Sequence, residues 1–344
     1  MNSAIGDEKR AERYFTASTR LGFVLALIVG ASFGVVVVLW AFSPVVGFAV
    51  SLLLGTMGFL FLVFLGYRID RKHRGITSSR KEYLVAALPV YVIMLSFLVM
   101  PQAFYVVVTQ VAGVMIFVYV NSIVVLLLYG FGRSIPLLLR IRSKGLNLED
   151  PKLVKGILTL AEKMDVKVEE IVMLSWKKLK VANALQVGSR RFSIYLSDYL
   201  VENLTPVEVE AVVAHELAHA KRRHSLKILL LMLPLLVIGT NLLLQSWMMR
   251  SDPGRSFFAI VGLAFLLPVN IMVAPIQRKF ELEADALSAE ILGATEPMIS
   301  ALNRIAELNL IPRKYPRFIG WGLPHPSIET RMEKIMTIEI GDHS

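Results

Sequence analysis

His215-Glu216-Leu217-Ala218-His219 places two imidazoles four residues apart, with a carboxylate directly after the first. Residues four apart share one face of a helix, so both rings can direct a nitrogen at one metal ion. Glu216 stands where a general base toward an attacking water is needed. This H-E-x-x-H pattern reads as the metal helix of a zinc peptidase; the competing reading is two histidines on a polar helix face. A catalytic zinc needs three protein ligands, and the chain has no Cys, so the third must be a His or a carboxylate. Past the last long apolar run, Glu281 and Asp285 stand four apart on one side of a helix expected to begin near Arg278, with Glu283 pointing elsewhere. Glu281 is the expected third ligand. Asp285 is expected to hold a ligand histidine by that ring's remaining N–H. A solvated helix face is the alternative for both acids. His224, five residues beyond His219, falls off the ligand face and is expected at the membrane interface, while His73 and His343 have no motif around them.

The elements that must position these groups are legible nearby. Thr205-Pro206-Val207-Glu208 is a capping box with Pro at the first helical position, so the motif helix should start there and run to about Arg223. Asp150-Pro151 opens another helix, ending near Met164. The stretches 170–176, 182–187 and 192–199 carry β-formers and predict short strands, with Gly188-Ser189 turning between the last two. Thr295-Glu296-Pro297 predicts a helix to about Leu308, and Pro326 one to about Met336. The basic, Pro-broken segment 311–318 between them predicts a solvated surface loop, with contact to anionic lipid headgroups or cover over the cleft as alternatives.

Composition sets the environment. Of the 344 residues 55% are hydrophobic and 19% charged, and the mean hydropathy is +0.60, which places the chain among membrane proteins. Six apolar runs, at 21–42, 45–67, 84–100, 103–129, 226–249 and 257–276, predict six spans. The first, as a helix of about 33 Å, would cross a hydrocarbon core of roughly 30 Å, and it lacks the small-residue cleavage site of a signal peptide. The net charge of +10 gathers beside these runs, as in Arg68, Arg71, Lys72, Arg74, Arg80 and Lys81, which is the signature of cytoplasmic loops and not of nucleic-acid binding. Apart from Lys227 at the start of the fifth, the runs carry no Asp, Glu, Lys, Arg or His, which argues against a transporter. The expected architecture is mainly α: a polytopic helical membrane protein with about six spans and a cytoplasmic α+β zinc-peptidase domain carrying a short β-sheet. Its parts are a four-span region at 1–132, a cytoplasmic part at 133–225, a two-span hairpin at 226–277, and a helical part with the third ligand at 278–344. Because the hairpin goes out and returns, residues before 226 and after 277 share a membrane face.

Several separated motifs resemble one family, the membrane zinc peptidases that include bacterial HtpX and the eukaryotic type I CAAX prenyl endopeptidase. Glu208-Val-Glu-Ala-Val-Val-Ala-His215-Glu-Leu-Ala-His219 is similar to its metal helix, Glu281-Leu-Glu-Ala-Asp285 to its E-x-x-A-D segment, and His325-Pro326 with Arg331 to its H-P-x-x-x-R segment. Asn183-Ala184 with Gly188 resembles its substrate-side strand. The resemblance implies one zinc per chain on His215, His219 and Glu281, with Glu216 as base. It also implies His325 and Arg331 at the substrate backbone or the oxyanion. Asn183 is either a turn residue or, on an edge strand, a hydrogen-bond partner of a substrate added as an extra strand. The six expected spans exceed the number usually read for HtpX-type members and fall short of the prenyl endopeptidase's. The expected function is an endopeptidase at the cytoplasmic face of the cell membrane that acts on membrane or membrane-tethered proteins in quality control. The alternatives are processing of lipidated C-termini and, ranked lower, a non-catalytic metal-binding scaffold. The lipid bilayer is an expected partner.

Overall fold

The computed structural model describes residues 8–22, 24, 44–88, 91, 121–122, 148–248, 261, 269–316, 320 and 322–338. The chain divides into two compact units. One comprises Met1–Ser134 with Lys177–Lys180 and Asn309–Ile311; the other comprises Ile135–Trp176, Val181–Leu308 and Pro312–Ser344.

In the first unit, helix α1 spans Pro44–His73, with Pro44 at its start, where its missing N–H leaves no bond unmade. Its stretch Leu52–His73 is long and apolar enough to cross a membrane. Leu53, Met57, Leu60, Phe61 and Phe64 stand exposed along it, an arrangement that costs free energy in water and none in lipid. Basic residues Arg71, Lys72 and His73 close it. The hydroxyls of Tyr14 and Tyr83 donate to the two oxygens of Asp70 at 2.7 and 2.8 Å, tying the helical segments 8–22 and 80–88 to α1.

The second unit carries the H-E-x-x-H segment. Helix α2 (Pro151–Lys163) starts as expected, with the Asp150 carboxylate accepting from the Lys152 and Leu153 amides. Strands β1 (Val168–Leu174), β2 (Ala184–Gly188) and β3 (Phe192–Ser197) form one sheet in the order β1-β3-β2. β3 runs parallel to β1 and antiparallel to β2, pairing Ala184 with Leu196 and Gln186 with Ile194. β3 is therefore central and almost wholly buried, and β2 is an edge. Val172, Leu174 and Tyr195 pack as one core cluster. The expectation of strand through Tyr199 gives way to a short helix α3 (Asp198–Asn203), because the Ser197 hydroxyl accepts from the Leu200 amide and turns the chain.

Helix α4 (Pro206–Lys221) begins at the expected capping box: the Thr205 hydroxyl accepts from the Glu208 amide and the Glu208 carboxylate from the Thr205 amide. Val209, Ala211, Val212, Val213, Ala214, Leu217, Ala218 and Ala220 are all buried, so most of α4 is enclosed, and its small residues let neighbours come close. It ends at Lys221, and Arg223 turns left-handed at φ 52° before α5 (His224–Met248) begins. The stretch His224–Leu242 is the second helix long and apolar enough to cross a membrane. Helix α6 (Val269–Leu292) passes through Pro275 without ending, so the helix expected to start near Arg278 starts nine residues earlier. Helices α7 (Glu296–Asn309) and α8 (Ile328–Met336) follow, the latter capped by Ser327. α4 packs on α6, α2 and β2, and α8 packs on α6. Most of each expected span at 21–42, 84–100, 103–129 and 257–276 lies outside the described residues.

Candidate metal centre

Helix periodicity brings His215 and His219 to one face of α4, where their Nε2 atoms approach to 3.1 Å. α6, packed across α4, delivers Glu281: its carboxylate lies 3.6 Å from His215 Nε2 and 3.3 Å from His219 Nε2. The three ligand atoms lie within 4.8 Å of one another. Two imidazoles and one carboxylate are a donor set of catalytic zinc sites, and the enclosure by α4 and α6 fits such an ion. Burial would push the Glu281 carboxyl up, but its bonds to His215, His219 and His325 outweigh that and hold it far below the usual carboxylate range. Burial would likewise lower His215, yet Asp285 and Glu281 raise it to about 9. The protein has thus gathered groups of complementary charge where a cation would compensate the carboxylate.

Asp285 lies one turn beyond Glu281 and is 1% exposed. Its Oδ1 is 2.9 Å from His215 Nδ1, the ring nitrogen that faces away from the ligand cluster. Arg331 of α8 donates two bonds to the same carboxylate, Nη2 to Oδ1 at 2.6 Å and Nε to Oδ2 at 2.8 Å. Although burial alone would raise it, the Arg331 guanidinium and His215 hold the Asp285 carboxyl below its ordinary value. Arg331 is itself buried, with Nη1 3.7 Å from Glu281, so its shortest contacts are to the acid that lies 2.9 Å from His215. His325 is different: its side chain is 59% exposed, and Nδ1 lies 2.9 Å from Glu281 Oε2.

Glu216 faces the sheet, where its Oε2 accepts from the Gln186 amide of edge strand β2 at 3.2 Å. Burial pushes its carboxyl above the ordinary value, which suits a group that must take and return a proton. Asn183 stands at the entrance to β2, its backbone amide donating to Ser197 Oγ and its carbonyl accepting from the Ser197 amide, with its side chain exposed. The expected ligands and Asp285 therefore converge, with Glu216 beside them, and the solvated-face alternative for the two acids is wrong, since both are buried.

Two residues that sequence reasoning set aside belong to the cluster. His224 is 1% exposed, with Nδ1 2.9 Å from His219 Nδ1 and Nε2 3.3 Å from Glu283 Oε2. The left-handed turn at Arg223 brings His224 against His219 Nδ1, the ring nitrogen opposite the ligand cluster, so His224 stays off the ligand face but is buried beside it. The only sequence signal was its closeness to His219. His73 closes α1, and His343 lies outside the described residues.

Comparison with known proteins places this geometry in context. The family model described as peptidase family M48 matches residues 147–339. Among curated proteins, the protease HtpX homolog of Janthinobacterium sp. (strain Marseille) is 26% identical, over 54% of this chain and 71% of its own length. Protease HtpX of Buchnera aphidicola subsp. Schizaphis graminum (strain Sg) is 30% identical, over 44% of this chain and 62% of its own. The crystal structure of S. mikatae Ste24p superposes with a TM-score of 0.76 at 17% identity, covering 96% of this chain and 88% of that one; the likeness is one of fold.

Proposed function

Since the chain belongs to peptidase family M48 and is a zinc-dependent metalloendopeptidase, we propose that it works at the cytoplasmic face of the cell membrane on misfolded or membrane-tethered proteins. The observation that carries this is the placement of His219 at the end of α4, five residues before a helix apolar enough to span a bilayer. At about 1.5 Å per residue the site lies close to the start of that helix. Positive residues Lys221, Arg222 and Arg223, directly before that helix, support the cytoplasmic side.

His215, His219 and Glu281 would hold one zinc ion, which supplies Lewis acidity to polarise a peptide carbonyl and acidify water. The remaining steps belong to the chain's own groups. Glu216 takes the proton of the attacking water as its oxygen bonds to the carbonyl carbon. It then gives that proton to the departing amine as the C–N bond breaks. A substrate strand lies along the free edge of β2, with Asn183 bonding its main chain. His325, exposed and next to Glu281, stabilises the oxyanion. Arg331 contributes by fixing Asp285, and through it the His215 ring.

The test is cleavage, by detergent-purified protein, of unfolded casein set against a lipidated peptide and its unlipidated twin. Cleavage of casein is expected. Cleavage of the lipidated peptide alone would replace quality control by processing of lipidated C-termini.

A further inference from the structure

The two ligand histidines are oriented by different chains of residues. His215 Nδ1 lies directly against Asp285, whereas the Nδ1 of His219, among the described residues, meets another imidazole nitrogen, His224 Nδ1, at 2.9 Å. This contact admits one arrangement of protons. His219 must present an unprotonated Nε2 to the ligand cluster, so its neutral ring carries its proton on Nδ1. That proton needs an acceptor, so His224 Nδ1 must be the bare nitrogen. His224 then carries its own proton on Nε2, 3.3 Å from the Glu283 carboxylate. Donor and acceptor alternate without conflict from Glu283 to the metal face of His219.

The surroundings hold the relay in place. The Phe280 ring stacks on His224 at 4.2 Å with 2° between the planes. Lys227, one turn along α5, lies 5.4 Å from the Phe280 centroid. Glu283 is steadied by Lys279 at 3.8 Å. His224 heads the apolar helix α5, and Glu283 sits on α6 two residues after the third ligand.

We propose that His224 and Glu283 are positioning residues that fix the tautomer and ring orientation of His219, so that zinc retention depends on the junction between α4 and the apolar helix α5. This rests on the zinc-peptidase reading of the site. Removal of such an outer partner typically weakens metal binding about 10–100-fold.

The experiment is the zinc dissociation constant of full-length, detergent-purified protein, measured by competition with a chelator, for wild type, His224→Phe, His224→Asn, Glu283→Ala and Glu283→Gln, with unfolding temperature as a check of folding. His224→Phe keeps a flat ring against Phe280 but offers no acceptor, and zinc should bind about 10–100-fold more weakly. His224→Asn places an amide oxygen near the Nδ1 position and should restore much of the loss, which a merely structural role would not predict. Glu283→Ala should weaken zinc about 10-fold, and Glu283→Gln, which can still accept, should weaken it less. Wild-type zinc affinity in folded His224→Phe, or equal losses in the Phe and Asn variants, would overturn the proposal. If His224→Phe does not fold, Glu283→Ala decides, and wild-type affinity there refutes the relay. Absence of zinc from the wild type would instead defeat the underlying metal-site reading.

Discussion

Replacing Arg331 by Met removes the cation that makes two bonds to Asp285, a carboxylate 1% exposed beside the ligand cluster. Met fills much of the same volume, so the loss is chiefly electrostatic. Stranding one member of a buried pair costs about 3–5 kcal/mol. For a folding unit of this size, each kcal/mol moves the unfolding temperature by roughly 2–4 °C, so a fall of roughly 6–20 °C is expected in metal-free protein. The double variant Asp285→Leu/Arg331→Met distinguishes pairing from mere packing. With both charges gone, the Asp285 carboxylate is no longer left without its guanidinium, and stability should partly return. Zinc binding should not return, because His215 Nδ1 has lost its acceptor; affinity should stay about 10–100-fold low. Thermal unfolding in chelator and zinc competition on the same preparations measure the two effects separately. A single variant within about 1 kcal/mol of wild type, against the expected 3–5, would refute the reasoning. A double variant that binds zinc like wild type would refute the role of Asp285.

Other perturbations follow from the same geometry. Glu281→Ala should abolish stoichiometric zinc, read by metal analysis after desalting, since it removes one of three ligands. Gly188→Ala should destabilise by about 1–3 kcal/mol, because Gly188 has φ +152° and an added Cβ would sit 2.1 Å from the Arg191 carbonyl oxygen; urea midpoints measure this. Burial raises the Glu208 carboxyl, but hydrogen bonds from Ser300 and Thr205 outweigh that and hold it below its ordinary value. Its stabilising effect is therefore full above the unfolded-chain value near 4.5 and is lost as pH falls through the lower folded value. Glu208→Gln should lower stability near neutrality, and the gap to wild type should close in acid, read by urea midpoints across pH.

Local signals in the chain predicted local structure well. Thr205 and Glu208 announced α4, Asp150-Pro151 announced α2, and the i, i+4 spacings of His215 with His219 and of Glu281 with Asp285 translated directly into shared helix faces. The departures fall where one residue or a long-range contact overrides the local pattern. At Arg223 a single left-handed residue resets the phase and brings His224 against His219. At Pro275 the reverse occurs, and α6 continues past a residue that forfeits one backbone bond. The β-forming sequence Tyr195–Tyr199 becomes helix at Asp198 because Ser197 caps it. The bidentate grip of Arg331 on Asp285 joins residues 46 apart in sequence, and no short-range pattern encodes it.

The most direct test of the central claim is zinc content and casein cleavage measured together on wild type and Glu216→Gln. Glu216 accepts from the Gln186 amide and stands outside the three-residue group that could hold a metal among the described residues, so the variant should retain one zinc per chain and lose cleavage. Equal cleavage by both proteins at equal zinc content would contradict the account.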